Sequence, residues 1–153
     1  MKPLTRFCFI LLFALESSII INTCFAGSKI QAVESKWQKV GSRWKVTIYN
    51  FQGNSVLNVH CKSKDDDLGA RVLEKKANFD WSFKMNFWRT TLFWCNFNGA
   101  NGHASFDVFW PEKSSWLSER CDYKNCIWGA FDSGLYLHNI PRQNYELIHH
   151  WKK

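Results

Sequence analysis

Apolar and polar side chains alternate in run after run of this chain, and aromatic residues fill many of the apolar positions. In residues 44–50, Trp44, Val46 and Ile48 fall on one face and Lys45, Thr47 and Tyr49 on the other. A period of two belongs to a strand with one buried face. Residues 55–63 repeat it, with Leu57, Val59 and Cys61 opposing Asn58, His60 and Lys62, and so do residues 79–85, with Phe79, Trp81 and Phe83 opposing Asp80, Ser82 and Lys84. In residues 103–110, Phe106 and Val108 oppose Ser105 and Asp107, while residues 91–97 are apolar on both faces, as expected of a central strand covered on each side. Shorter runs lie at 70–73, 127–131 and 135–138, and residues 145–151 read as a closing strand or a short helix. Nine Trp, thirteen Phe and four Tyr suit a pleated, half-buried surface. Turn chemistry at Gln52-Gly53-Asn54, Asn98-Gly99-Ala100-Asn101-Gly102 and Asp132-Ser133-Gly134 separates the runs. The expected class is all-β: an antiparallel β-sandwich of seven to eight short strands.

The amino terminus reads as a secretory leader. Lys2 and Arg6 supply its positive end, residues 7–15 its apolar stretch, and Cys24-Phe25-Ala26 a small-x-small cleavage site. Glu16, Asn22 and Thr23 interrupt the apolar run, which argues against a membrane anchor. Removing residues 1–26 of the 153 leaves 127, enough for one domain with a real core and too few for two. Residues 27–43 read as a polar arm and residues 44–153 as the domain. Cys8 and Cys24 leave with the leader, so Cys61, Cys95, Cys121 and Cys126 enter an oxidising compartment as an even set. Of the three possible connectivities, Cys61 with Cys95 is favoured because both face inward from long strands, leaving Cys121 with Cys126 to close a small loop.

The leader carries two basic residues against one acidic, so the +7 of the whole chain becomes +6 in the mature domain. Such a charge favours acidic partners without choosing among them. Catalytic patterns are weak. His60, His103, His138, His149 and His150 lack partners at fixed spacing, no G-x-S-x-G motif occurs, and the cysteines serve better as disulfides than as nucleophiles. Neither Cys121 with Cys126 nor the adjacent His149 and His150 matches a zinc pattern. Asp65, Asp66 and Asp67 invite calcium, but no ligating Glu follows at the required spacing; they read as a solvated turn with Gly69 in the left-handed position. No cofactor, no nucleic-acid partner and no stable membrane insertion are expected, and the domain is expected to be a monomer.

Several strings together resemble one family. Val46-Thr-Ile-Tyr-Asn50, the segment His60-Cys-Lys-Ser-Lys-Asp-Asp-Asp-Leu-Gly69, Thr91-Leu-Phe-Trp-Cys95, Phe106-Asp-Val-Phe109, and Cys121 with Cys126-Ile-Trp128 are similar to the plant self-incompatibility proteins, the S-protein homologues. The resemblance runs from about residue 44 to residue 136. It implies a secreted β-sandwich with two disulfides acting as an extracellular ligand, and, for the founding stigma protein, recognition and rejection of self pollen through a receptor. The chain departs from the pattern in having Asp132-Ser133-Gly134 where the family often has Asp-Gly, and in lacking a glycosylation acceptor. The expected function is therefore a secreted, non-enzymatic ligand for a cell-surface receptor. The alternative is a basic defence protein that binds membrane or cell wall. Loops are the usual seat of such contacts. The candidates are residues 65–69, with Asp65, Asp66 and Asp67, and residues 111–125, with Lys113, Trp116, Glu119, Arg120 and Lys124 beside Cys121 and Cys126.

Overall fold

Nine strands and one short helix follow in chain order in the computed structural model, which describes residues 43–153. They are β1 (Arg43–Asn50), β2 (Leu57–Ser63), β3 (Asp67–Leu73), β4 (Asn78–Lys84), β5 (Phe93–Gly99), β6 (Gly102–Phe109), α1 (Trp116–Arg120), β7 (Asn125–Phe131), β8 (Gly134–Asn139) and β9 (Asn144–His149). The expected leader and polar arm lie outside the described residues. Two sheets form the sandwich, one in the order β4-β1-β7-β8-β9 and the other β3-β2-β5-β6. Period-two alternation decides which side chains lie between them. Trp44, Val46 and Ile48 of β1, Leu57, Val59 and Cys61 of β2, and Phe93, Cys95 and Phe97 of β5 are all buried.

The strand count exceeds the expected seven to eight because the ambiguous last segment pairs as β9 against β8, while the short run before Leu73 extends back to Asp67 without adding a strand. One pair is not antiparallel: β1 runs parallel to β7, with Ile48 opposite Trp128. Direction reverses at each connection, so two odd-numbered strands brought side by side must point the same way. β5 is covered on one face only, since Asn96 and Asn98 are exposed on the other. The long polar connection before β7 is not all loop, because it holds α1, whose Leu117 is buried in the core.

Aromatic residues also do a job that alternation did not assign. Phe51, Phe131 and Tyr145 pack as a cluster, with Phe51 to Phe131 centroids 5.0 Å apart and Phe131 to Tyr145 5.2 Å. Gly129 lies against them, and a Cβ there would come within 2.7 Å of the Phe131 ring and 3.0 Å of Phe51. The lack of a side chain at residue 129 lets these rings settle onto the sheet.

Both disulfides form as the favoured connectivity has them. Cys61 and Cys95 are direct partners in the β2–β5 ladder, with Cα atoms 4.1 Å apart. The first bridge thus staples one sheet internally rather than joining the two. Cys121 and Cys126 close a tight loop between α1 and β7, in which Asp122 and Tyr123 take left-handed conformations at φ 46° and 56°.

Candidate functional site

Because direction reverses at each connection, the loops that follow even-numbered strands collect at one end of the sandwich and those that follow odd-numbered strands at the other. Arg43 at the start of β1 pairs with Lys84 at the end of β4, and Lys45 lies opposite Asn125 at the start of β7. Ser63 and Phe109, the ends of β2 and β6, both pair with Phe93. Ile140, just past β8, donates its N–H to the Arg120 carbonyl at 2.9 Å. One end therefore gathers the β2–β3 corner, the β4–β5 loop, the connection bearing α1, and the β8–β9 turn.

The opposite end is tied shut. Asp132 Oδ1 accepts the Gly53 N–H at 3.1 Å and the Asn101 side-chain amide at 3.1 Å, joining three turns through one carboxylate. Asn50, fully buried, donates to the carbonyls of Ser55 and Leu73 and accepts the Gln52 N–H.

At the even-strand end, the expected acidic corner is shaped by its own hydrogen bonds. Ser63 Oγ accepts the Asp66 N–H at 2.9 Å, and Asp67 Oδ1 accepts the Gly69 N–H at 2.9 Å. Gly69 holds φ at 76°, as expected of the residue that lets this corner turn. Asp67 also meets His60 Nε2 at 2.6 Å and Lys62 Nζ at 2.9 Å. Hydrogen bonds from His60, then Lys62, then the Gly69 amide hold its carboxyl well below the usual carboxylate range. All three aspartates are exposed, but Asp67 is tied down by His60, Lys62 and the Gly69 amide and so anchors the corner.

The second expected loop divides in the same way. Arg120 Nε donates to Glu146 Oε2 at 2.6 Å, and its guanidinium lies 4.0 Å over the Trp116 ring, which is in turn stacked with Trp110. Trp116 and Arg120 therefore fasten α1 to the sandwich and to β9. Glu112 accepts the N–H groups of Leu117 and Ser118 at 2.7 and 2.8 Å, closing the start of the helix. Lys113, Glu119 and Lys124 are left exposed.

Between these two expected loops lies one that sequence reasoning missed. The β4–β5 loop shares a cleft of about 460 Å³ with Lys64, Asp65 and Asp66 on one side, and a smaller cleft of about 160 Å³ with Pro111, Glu112 and Lys113 on the other. At its tip Phe87 is 81% exposed and Trp88 78%. The available signal was a break in alternation: adjacent aromatics at Phe87-Trp88 cannot both face a core from a single strand.

His149 packs its ring on Phe106 with centroids 4.0 Å apart, and burial pushes its pKa down from the ordinary histidine value. Among the described residues, no three His, Cys, Asp or Glu side chains converge to hold a metal ion.

A family model described as plant self-incompatibility protein S1 matches residues 45–151. The S-protein homolog 1 of Arabidopsis thaliana is 42% identical over 112 residues, covering 72% of this chain and 73% of that protein. S-protein homolog 74 of the same plant is 41% identical over the same shares. Among solved structures, one of the SPH (self-incompatibility protein homologue) proteins, described as small, highly stable and secreted proteins from plants, superposes with a TM-score of 0.57 at 19% identity. It covers 74% of this chain and 97% of its own, and so supports the fold. The chain belongs to the plant self-incompatibility protein S1 family.

Proposed function

We propose that this protein is a secreted, non-enzymatic ligand whose even-strand end contacts a cell-surface receptor protein. The gathering of the β2–β3 corner, the β4–β5 loop and the α1 connection at one end of a stapled sandwich carries this reading. Loops held by a rigid scaffold present a fixed shape, and a preformed surface loses little entropy on binding. Asp65, Asp66, Lys113, Glu119 and Lys124 supply charges of both signs for contact, over a foundation of Asp67, Trp116 and Arg120. The leader-like pattern of residues 1–26 and the description of the related solved proteins as secreted support export. Rejection of self pollen, the role after which the family is named, would be one use of such a ligand.

Crosslinking the purified mature protein to plant cell surfaces tests the proposal. The expected capture is a protein with an extracellular domain, saturable and displaced by unlabelled ligand. Its yield should drop when Asp66→Lys and Lys113→Glu are introduced together. Recovery of lipid or pectin alone would overturn it.

A further inference from the structure

We infer that the β4–β5 loop is a membrane-surface anchor, with Phe87 and Trp88 entering the headgroup–acyl boundary of an anionic phospholipid bilayer while neighbouring cations meet the lipid phosphates. This goes beyond the receptor reading and is independent of it, since a lipid vesicle contains no receptor.

The physical anomaly is the exposure of two adjacent large aromatics. Their rings lie edge to face, 5.4 Å between centroids, yet they leave four-fifths of their surface in water. Nothing in the sandwich covers them, although most of its other aromatics are packed into or against the core or into the cluster over Gly129. Scattered apolar residues on a surface are ordinary, but two large rings side by side at the tip of a loop mark a contact.

The loop is built to hold them out. Asn86 Oδ1 accepts the Thr90 N–H at 2.8 Å, Asn86 Nδ2 donates to Thr90 Oγ1 at 2.7 Å, and Thr91 Oγ1 accepts the Asn86 N–H at 3.0 Å. Arg89 takes the left-handed conformation, φ 55°, and so turns the chain sharply just after Trp88. The pair is displayed on a fixed turn and needs no ordering on contact.

Charge selects the occupant. The tip stands between two clefts, one with Lys64 and Lys84 on its walls and the other with Arg89 and Lys113. Glu112 in the second cleft is spent on the start of α1. Asp65 and Asp66 alone oppose an anionic surface from the first. An apolar wedge with cations on either side matches a bilayer interface, where Trp and Phe sit at headgroup level beside Lys and Arg. A protein hot spot would instead be expected within a closely packed patch rather than at a projecting tip. The contact is reversible and two side chains deep, not a span.

Co-sedimentation of the mature protein with phosphatidylcholine vesicles, with and without phosphatidylserine, is the test. Binding is expected to the anionic vesicles, weakening as salt rises. The Phe87→Ser/Trp88→Ser variant should bind about ten-fold more weakly while keeping the wild-type melting temperature, because both side chains are already in water. Lys84→Glu/Arg89→Glu should also weaken binding, whereas Asp65→Asn/Asp66→Asn should strengthen it. The inference is overturned if the wild type ignores anionic vesicles at low salt, if it binds neutral and anionic vesicles equally, or if the aromatic variant binds as well as the wild type. Loss of cell-surface capture in the aromatic variant, with no vesicle binding by the wild type, would assign the tip to a protein pocket instead and equally overturn it.

Discussion

Trp128 of β7 donates its indole N–H to the Val108 carbonyl of β6, 3.0 Å away, so a fully buried side chain from one sheet is hydrogen-bonded to the backbone of the other. Its ring also lies 5.1 Å from that of Phe106. The contact fixes how the two sheets sit on each other, which neither disulfide does. Trp128→Phe removes the donor and part of the buried volume, and should lower stability by about 2–3 kcal/mol. Urea denaturation of the protein measures it.

The two disulfides should differ in weight. Cys61–Cys95 closes a separation of 34 residues and Cys121–Cys126 one of 5. In the loop-entropy account the first contributes about 3–4 kcal/mol and the second about 2 kcal/mol. Cys61→Ala/Cys95→Ala should therefore lower the denaturation midpoint further than Cys121→Ser/Cys126→Ser. Equal losses would mean that packing, rather than loop closure, sets the effect.

Asn50 is a polar residue with no exposed surface, and it satisfies three backbone groups from three separate places. Asn50→Ala leaves the Ser55 and Leu73 carbonyls without their donor and the Gln52 N–H without its acceptor. A loss of about 2–4 kcal/mol is expected, because each stranded group keeps its desolvation cost. Thermal unfolding reads it directly.

Two limbs are expected as stability is followed towards acid, an upper one from His149 and a lower one that Glu146 shares with Asp67. His149 has a folded pKa below its ordinary 6.5, mainly through burial and then through Lys152. The unfolded chain therefore binds its proton first, and stability falls as pH drops below 6.5 towards the folded value. Glu146 is held below its ordinary 4.5 by the Arg120 and then the Asn139 hydrogen bonds. Its contribution is present above 4.5 and is lost as pH falls through the folded value. His149→Gln should flatten the upper limb only, and Glu146→Gln should reduce the lower one only, in melting temperatures recorded against pH.

Much of the fold can be read from alternation, because a strand with one buried face writes its period into the sequence. Trp44, Val46, Ile48, Leu57 and Val59 are all where that period puts them. Cys61 and Cys95 carry inward parity on two strands, and four cysteines beyond the expected leader left few pairings. The acidic corner and the polar connection were legible as the links between strands from their turn residues and charge, but not the helix α1 in the second or the start of β3 at Asp67 in the first. The Asp67 anchor was not, because it depends on which strand lies beside β3 and on the lysine and histidine that strand brings. Nor were the roles of Trp116 and Arg120, which look like free contact residues in the sequence yet are committed to Trp110 and Glu146, the latter 26 positions from Arg120.

The sequence by itself determined that this is an aromatic-rich β protein with an even set of cysteines, since periodicity, turn chemistry and composition are local properties. The tertiary structure alone decided that β1 and β7 run parallel, that four separated connections meet at one end, and that Phe87 and Trp88 are left exposed there. These outcomes depend on which strands become neighbours. That choice is made by packing energy between segments far apart in the chain, which no local pattern records.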